Sequence, residues 1–560
     1  MRRVRLKWLS VLLAGATCVA AHAVPIAGVA PAAGADQDAC KNGKDRVAAI
    51  QACTALISLS AGDPKVAADA YVRRAALLGP SNAEQAIADL AAALKLDPKS
   101  VRALQLRALI YMLRNNTDGA MADLDQAIAL APADEHSYLG RAALRQRLGD
   151  SSGALADYSE AIKLKPDDGD YYGMRGGAYL KLKNYDLAIV DLNQAVKLAP
   201  QSAKLFALRG EVVYAMHDEA GALADFGKAI AIDPKLAQPY LDRGLVEFRK
   251  RDFTSAVNDL DMGVALDPGQ YSAVMLRGSA HQLLGEYDAA IADFSTVIAA
   301  NPTNRAALFS RGNAHMMKRD FDGAIADFDR TIELSPTTAD GYVARGAAHA
   351  LKKEYPAALA DLDHALSIDP TQFVALNDRG AARESNGDFD GALADLNAAL
   401  VLKPKDPAAL RNRSRLRLTR GEFADAVADA DALAASAPAD QAAAQSVAAL
   451  QCLTHTAAAA DLEAAEALCA AAPEAVKARP EYLIAHGLLR LKQGRLADAL
   501  ADYDAAAKAA NPPGEAFYGR GVVEQKLSHV ADAAADLTKG AAMDTVVAKR
   551  FAAYGYGPTH

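Results

Sequence analysis

The chain has almost no tryptophan: Trp8 is the single one in 560 residues, and aromatic side chains make up only 6%. A sugar-binding platform of stacked indole rings is therefore not on offer, although Tyr and Phe remain. A basic excess is missing too, since 61 Lys and Arg stand against 69 Asp and Glu for a formal charge of −8. That balance argues against nucleic acid or an anionic lipid surface as partner. Beyond the first 23 residues no apolar run approaches membrane-spanning length, so no membrane insertion of the mature chain is expected. G-x-S-x-G, a phosphate-cradling glycine loop and H-E-x-x-H are all absent. No enzyme, cofactor or metal is therefore expected.

Cysteine is scarce but patterned. Cys18 lies in the N-terminal apolar run WLSVLLAGATCVAA, which follows Arg2, Arg3, Arg5 and Lys7 and precedes Ala21, His22 and Ala23. A basic start, an apolar core and an A-x-A end mark residues 1–23 as a signal peptide cut before Val24, placing the mature protein in the periplasm or outside the cell. The remaining Cys40, Cys53, Cys452 and Cys469 form two local pairs, which an oxidising compartment would convert to disulfides. Residues 24–36, rich in Ala, Pro and Gly, are expected to form a disordered leader.

What the chain does have is a period. Arginines from Arg73 through Arg107 and Arg141 to Arg413 step by 34 residues, and each is followed sixteen residues later by an aspartate, from Asp89 to Asp429. Prolines from Pro64 to Pro438 keep the same step, as do alanines from Ala86 to Ala426. In the unit from Arg305 to Thr338, RAALFSRGNAHMMK and FDGAIADFDRTIEL both carry apolar residues at helical spacing. Asp320 sits where an N-cap belongs, and Pro336 stops the second helix. Small residues at two fixed phases imply two closely crossing helices per unit.

The pattern RG-x-A-(5 to 6 residues)-Y/F-x-x-A-x-x-D-[FL]…P and its 34-residue step resemble the tetratricopeptide repeat family. The resemblance implies an all-α fold, a right-handed superhelical solenoid of helix-turn-helix repeats with a concave and a convex face. It covers residues 67–440 as eleven regular units and, less tightly, residues 480–547 as two more. Residues 37–66 and 441–479 read as irregular helical hairpins, each holding one cysteine pair, and residues 548–560 as a capping helix and tail.

Within a unit the arginine and aspartate should stand at equal height on one side of the helix pair, so Arg175 with Asp191, Arg209 with Asp225, Arg243 with Asp259, Arg277 with Asp293, Arg311 with Asp327 and Arg345 with Asp361 are expected to form a structural ion-pair ladder. Whether each pair lies within a repeat or between repeats stays open. An active site is not copied eleven times along a rod. His281, His315 and His349 share a phase, but units about 10 Å apart are too distant for shared metal ligation, and a structural role is expected. Asp320 and Asp388 begin DFDG runs that lack the rest of a calcium loop.

The resemblance also implies that first helices line the concave groove. The outward phases there are Tyr214, Leu241, Leu245, Phe248, Met275, Phe309, Met316, Met317 and Val343, giving way to the polar Asn377, Glu384, Arg411 and Arg415. Such a methionine and aromatic strip suits an apolar helix or extended peptide, unless some of these side chains pack between units instead. The lysine and asparagine clamp by which some family members hold a C-terminal carboxylate is not reproduced, since Asn313 lacks its lysine. The expected function is a non-enzymatic protein-protein interaction scaffold that binds a peptide or helix. The alternative is an accessory factor holding polysaccharide or another envelope polymer during export or remodelling.

Overall fold

Every regular unit folds into two antiparallel helices for reasons visible in its own residues. The unit around Arg305 is representative. Asn304 caps the helix Arg305–Lys318 by accepting from the Ala307 N–H at 3.1 Å. Arg319 then turns the chain through the left-handed region at φ 65°, and Asp320 caps Phe321–Leu334 by accepting from the Gly323 N–H at 3.1 Å. Gly312 lets the two helices touch: a Cβ there would lie 2.6 Å from the Phe328 ring. Ala324, like every alanine at its phase from Ala86 to Ala426, is fully buried at 0% exposure. A larger side chain at that phase would overpack the helix crossing.

The computed structural model describes residues 31–42, 45–60, 62–436, 441–459 and 462–557. Among them are 32 α-helices and no strand, so the fold is all-α. The signal peptide expected over residues 1–23 and the leader over 24–30 lie outside the described residues. The chain forms two bodies. The first ends at Ala273 and the second begins at Val274.

The first body opens with the hairpin of Pro31–Asn42 and Arg46–Leu59, closed by the Cys40–Cys53 disulfide. Helix therefore starts inside the stretch expected to be leader. The next unit pairs Pro64–Leu78 with Ala83–Leu96 through an irregular turn: Gly79 has φ 54° and Pro80–Asn82 is a short 3-10 helix. Regular hairpins follow.

The second body continues them to Phe423–Ser436. There the phase changes through Gln441–Ala458, the short Leu462–Ala470 and the one-turn Glu474–Lys477. Cys452 and Cys469 form a disulfide between the first two of these helices. Both sulfurs sit in a core with Val476, Tyr482 and Leu489. Two hairpins, Pro480–Lys492 with Leu496–Ala507 and Gly514–Lys526 with Val530–Met543, lead to the terminal helix Val547–Ala553. Among the described residues no helix is long and apolar enough to cross a membrane.

Candidate binding surface

The repeated arginines and aspartates meet in the expected way, with one correction. From Arg107–Asp123 to Arg413–Asp429, each guanidinium donates from Nε and Nη2 to the two carboxylate oxygens of its own unit's aspartate. In the Arg311–Asp327 pair the distances are 2.8 and 2.6 Å. The same contacts join Arg175 to Asp191, Arg209 to Asp225, Arg243 to Asp259, Arg277 to Asp293 and Arg345 to Asp361. In the first unit, however, Arg74 rather than Arg73 holds Asp89, while Arg73 pairs with Asp69 one helical turn away. The Gly79–Pro80 turn ends that helix early, and the facing residue shifts by one.

The third nitrogen ties one repeat to the next. Nη1 of Arg175 and Arg311 donates to Ser159 and Ser295, at 3.0 and 2.9 Å. In Arg345 and Arg379 it meets Asp329 and Asp363, and in Arg413 it meets Asn397. Each of these acceptors lies in the preceding unit. The ladder therefore runs both within and between repeats, and fixing that register is what a planar five-donor group does better than lysine. Aromatic rings three residues earlier, such as Tyr138, Tyr172 and Tyr342, lie under the guanidinium carbons at 5.8 to 6.0 Å.

The position four residues after the ladder arginine varies. Arg145, Arg383 and Arg417 there add a second cation to Asp157, Asp395 and Asp429, while Arg490 meets Asp502 in a unit whose ladder position is His486. His281, His315 and His349 occupy the same position and reach across the turn to Glu286, Asp320 and Glu354, at 2.6 to 2.7 Å. The three histidines are thus intra-unit partners of the acids at the N-cap position, of which Asp320 also caps its helix through its side chain. Glu247 instead brings a carboxyl to Asp259. Burial, and then the Asp259 charge, push it up to about 7. Burial likewise raises Glu211 to about 7 and Asp242 to about 6, each on a first helix of the first body. Metal-type donors converge among the described residues at Asp134, Glu135 and His136, but Asp134 there accepts from the Ser137 N–H as a helix cap.

The groove strip is narrower than its phases imply. Leu241 and Val343 are core: a Cβ on Gly263 would fall 2.1 Å from Leu241, and Val343 packs among Leu362 and Ala365. Tyr214 lies against Phe226, Met275 against Phe294, and Phe309 and Met316 against Ala324, Phe328 and Ala348. Phe248 meets Phe253 edge-on at 5.4 Å. Leu245, like these five, is half-buried. Neighbouring helices claim most of the strip because every first helix must also bury a flank against the next repeat. Met317 is the exception at 57% exposure. With Leu283 at 56% and Leu351 at 57%, at the same phase in adjacent units, it forms an exposed apolar row.

At the far end of the second body the chain itself covers Glu384 of the polar stretch. Helix Val547–Ala553 lies against the first helices of the later units, and Arg550 is 1% exposed. Its Nη2 reaches Glu384 at 3.4 Å, Nε reaches Thr419 at 3.1 Å, and Nη1 meets Glu515 and Asp544. Thr545 donates to the Ser385 carbonyl at 2.8 Å, and the Lys353 ammonium to the Ala542 and Met543 carbonyls. Phe551 and Tyr554 fill a core with Tyr503, Tyr518 and Leu418. Sequence reading missed Arg550, although Val547, Phe551 and Tyr554 around it carry helical apolar spacing. Arg411 is half-buried and Arg415 exposed; Asn377, now buried, accepts from Asn412 at 3.0 Å.

The geometry defines a class first: an α-helical array of repeated hairpins whose register is held by arginine forks. Tetratricopeptide repeat models match residues 169–202, 241–305, 284–339, 309–373, 377–444 and 484–545, and the chain belongs to the tetratricopeptide repeat family. A model described as the ETO1 C-terminal domain matches residues 33–179. No curated protein matches the chain. Among solved structures, a tetratricopeptide repeat protein from Parabacteroides merdae is 17% identical, over 45% of this chain and 99% of its own, at TM-score 0.40. MamA is 25% identical over 29% and 95%, at 0.27. YrrB, described as having an unusual peptide-binding site, is 20% identical over 33% and 95%, at 0.29. Repeats of this family indicate a protein-interaction scaffold, and proteins built from them are generally not enzymes.

Proposed function

We infer that the protein is an exported, non-enzymatic scaffold that holds a peptide or helical partner on the first helices of its repeats. The observation that carries this reading is the chain's own terminal helix, seated against Glu384 and Thr419. The surface is shaped to take a helix. The exposed row Leu283, Met317 and Leu351 continues the same side of the first helices, one helix per anchor. Spaced apolar anchors on a preformed surface are how helices and extended peptides are recognised. Export is supported by the basic and apolar N-terminus and by two disulfides, which persist in oxidising compartments.

The test is capture from an envelope extract with the wild-type chain and with Met317→Asp combined with Leu351→Asp. Both residues are exposed, so the variant should melt like wild type. Loss of the captured protein is expected, and undiminished capture would sink the reading.

A further inference from the structure

The terminal helix does more than end the array. A cap needs only to cover the last hairpin, which Phe551 does against Tyr518, with ring centroids 5.2 Å apart. Arg550 of this helix also reaches Thr419 and Glu384, 131 and 166 positions earlier in the chain, while the turn before it meets Ser385 through Thr545 and the end of helix Val530–Met543 meets Lys353. At its centre is a guanidinium, not a leucine. A buried ion cluster adds little net stability compared with apolar residues of like size, yet it discriminates sharply between right and wrong partners. Three carboxylates, Glu384, Glu515 and Asp544, surround the single Arg550. The Lys549 ammonium, one residue before, lies 3.6 Å over the Phe389 ring. The surface under the tail, from Glu384 on a first helix to Phe389 at the start of the following second helix, thus reads a basic pair flanked by apolar residues.

Resting on the function inferred above, we propose that helix Val547–Ala553 is a ligand held in cis, and that the external partner presents a short helix of the same chemistry: adjacent basic residues, the second an arginine, between apolar and aromatic residues at helical spacing. The tail and the partner compete for Glu384, Thr419 and Phe389, and the exposed row Leu283, Met317 and Leu351 on the same side of the first helices is left free for the rest of the partner. Displacing the tail uncovers Glu384 and Phe389 and leaves Glu515 and Asp544 without their cation, so an incoming arginine is favoured over an apolar residue.

The probe is a biotinylated peptide with the sequence of residues 544–557, DTVVAKRFAAYGYG. It is added to the full wild-type chain at about millimolar concentration, because a tethered segment sees its own site at roughly that effective concentration. Amide hydrogen exchange of the chain's own residues 547–554 is followed by mass. The expected result is exchange faster by about tenfold or more with this peptide, and no change with one carrying alanine at the Arg550 position. In a second arm, the full-length Arg550→Ala chain should bind the arginine peptide about tenfold more tightly than wild type does. Inertness of the peptide in both arms, or equal effects of the arginine and alanine peptides, would overturn the proposal. Neither arm involves Met317 or Leu351, so failure here is distinguishable from failure of the capture test.

Discussion

The unit around Arg243 and the unit around Arg413 share one frame and carry opposite electrostatics. In the first, Asp259 has one cation, and Glu247 brings a second acid towards it. In the second, Asp429 is gripped by both Arg413 and Arg417, at 2.6 and 2.5 Å. They differ again between repeats: Nη1 of Arg413 meets Asn397, whereas the corresponding position before Arg243 is Gly227, which has no side chain to offer. The fork is thus the shared element. The residue four places on, and the acceptor in the preceding unit, are adjustable without altering the hairpin.

Substitutions can break that contrast or sharpen it. The largest effect is expected from Asp429→Ala, which strands two guanidiniums and should destabilise its repeat by about 4 kcal/mol. The check is hydrogen exchange of helix Phe423–Ser436. By the same reasoning, Asp327→Ala should cost more than Arg311→Leu combined with Asp327→Leu, because only the single change leaves a charge unpaired.

Glu247→Arg, which copies the arrangement of Arg417, should stabilise the Arg243 unit by about 2 kcal/mol through a charge-assisted hydrogen bond to Asp259. A lower urea midpoint in the variant would contradict the comparison.

Gly227→Ser should add the acceptor that Ser159 gives Arg175, and should gain helix propensity as well, together about 1 kcal/mol. Gly227→Ala isolates the propensity part. If the two variants unfold alike, the bond between units does not form.

A pH slope is also expected in the first body. Burial raises Glu247 and Glu211 from 4.5 to about 7 and Asp242 from 3.8 to about 6, so the folded state binds more protons than the unfolded one. Their neutral forms cost the fold nothing below the ordinary carboxyl range. Stability is therefore lost as pH rises from about 4.5 to about 7 and levels off above that. Urea midpoints at pH 5 and pH 8 should differ less in Glu211→Gln with Glu247→Gln than in wild type.

The repeat, its all-helical character, the disulfide pairs and most of the ladder were legible because each is a local pattern copied many times. The exceptions have physical causes. Arg73 was matched to Asp89 by counting, but the Gly79–Pro80 turn hands that carboxylate to Arg74. Leu241 and Val343 share phases with groove residues, and phase alone cannot separate a side chain facing solvent from one facing the next repeat. The partners of Arg550 lie as far as 166 residues away, set by the curl of the later repeats and by no local pattern. Glu247 and Glu524 put a carboxyl at a position that in the other regular hairpins holds Arg, His, Tyr or Val; burial, then Asp259 or Asp536 respectively, raises each carboxyl.

A linear stack of hairpins frays from its two ends, because an outermost repeat has only one neighbour. Here the opening hairpin is stitched covalently by Cys40 and Cys53, and the final one is folded back and buttoned through Arg550. With these two hairpins tied, thermal unzipping is expected to start in repeats secured only by their neighbours.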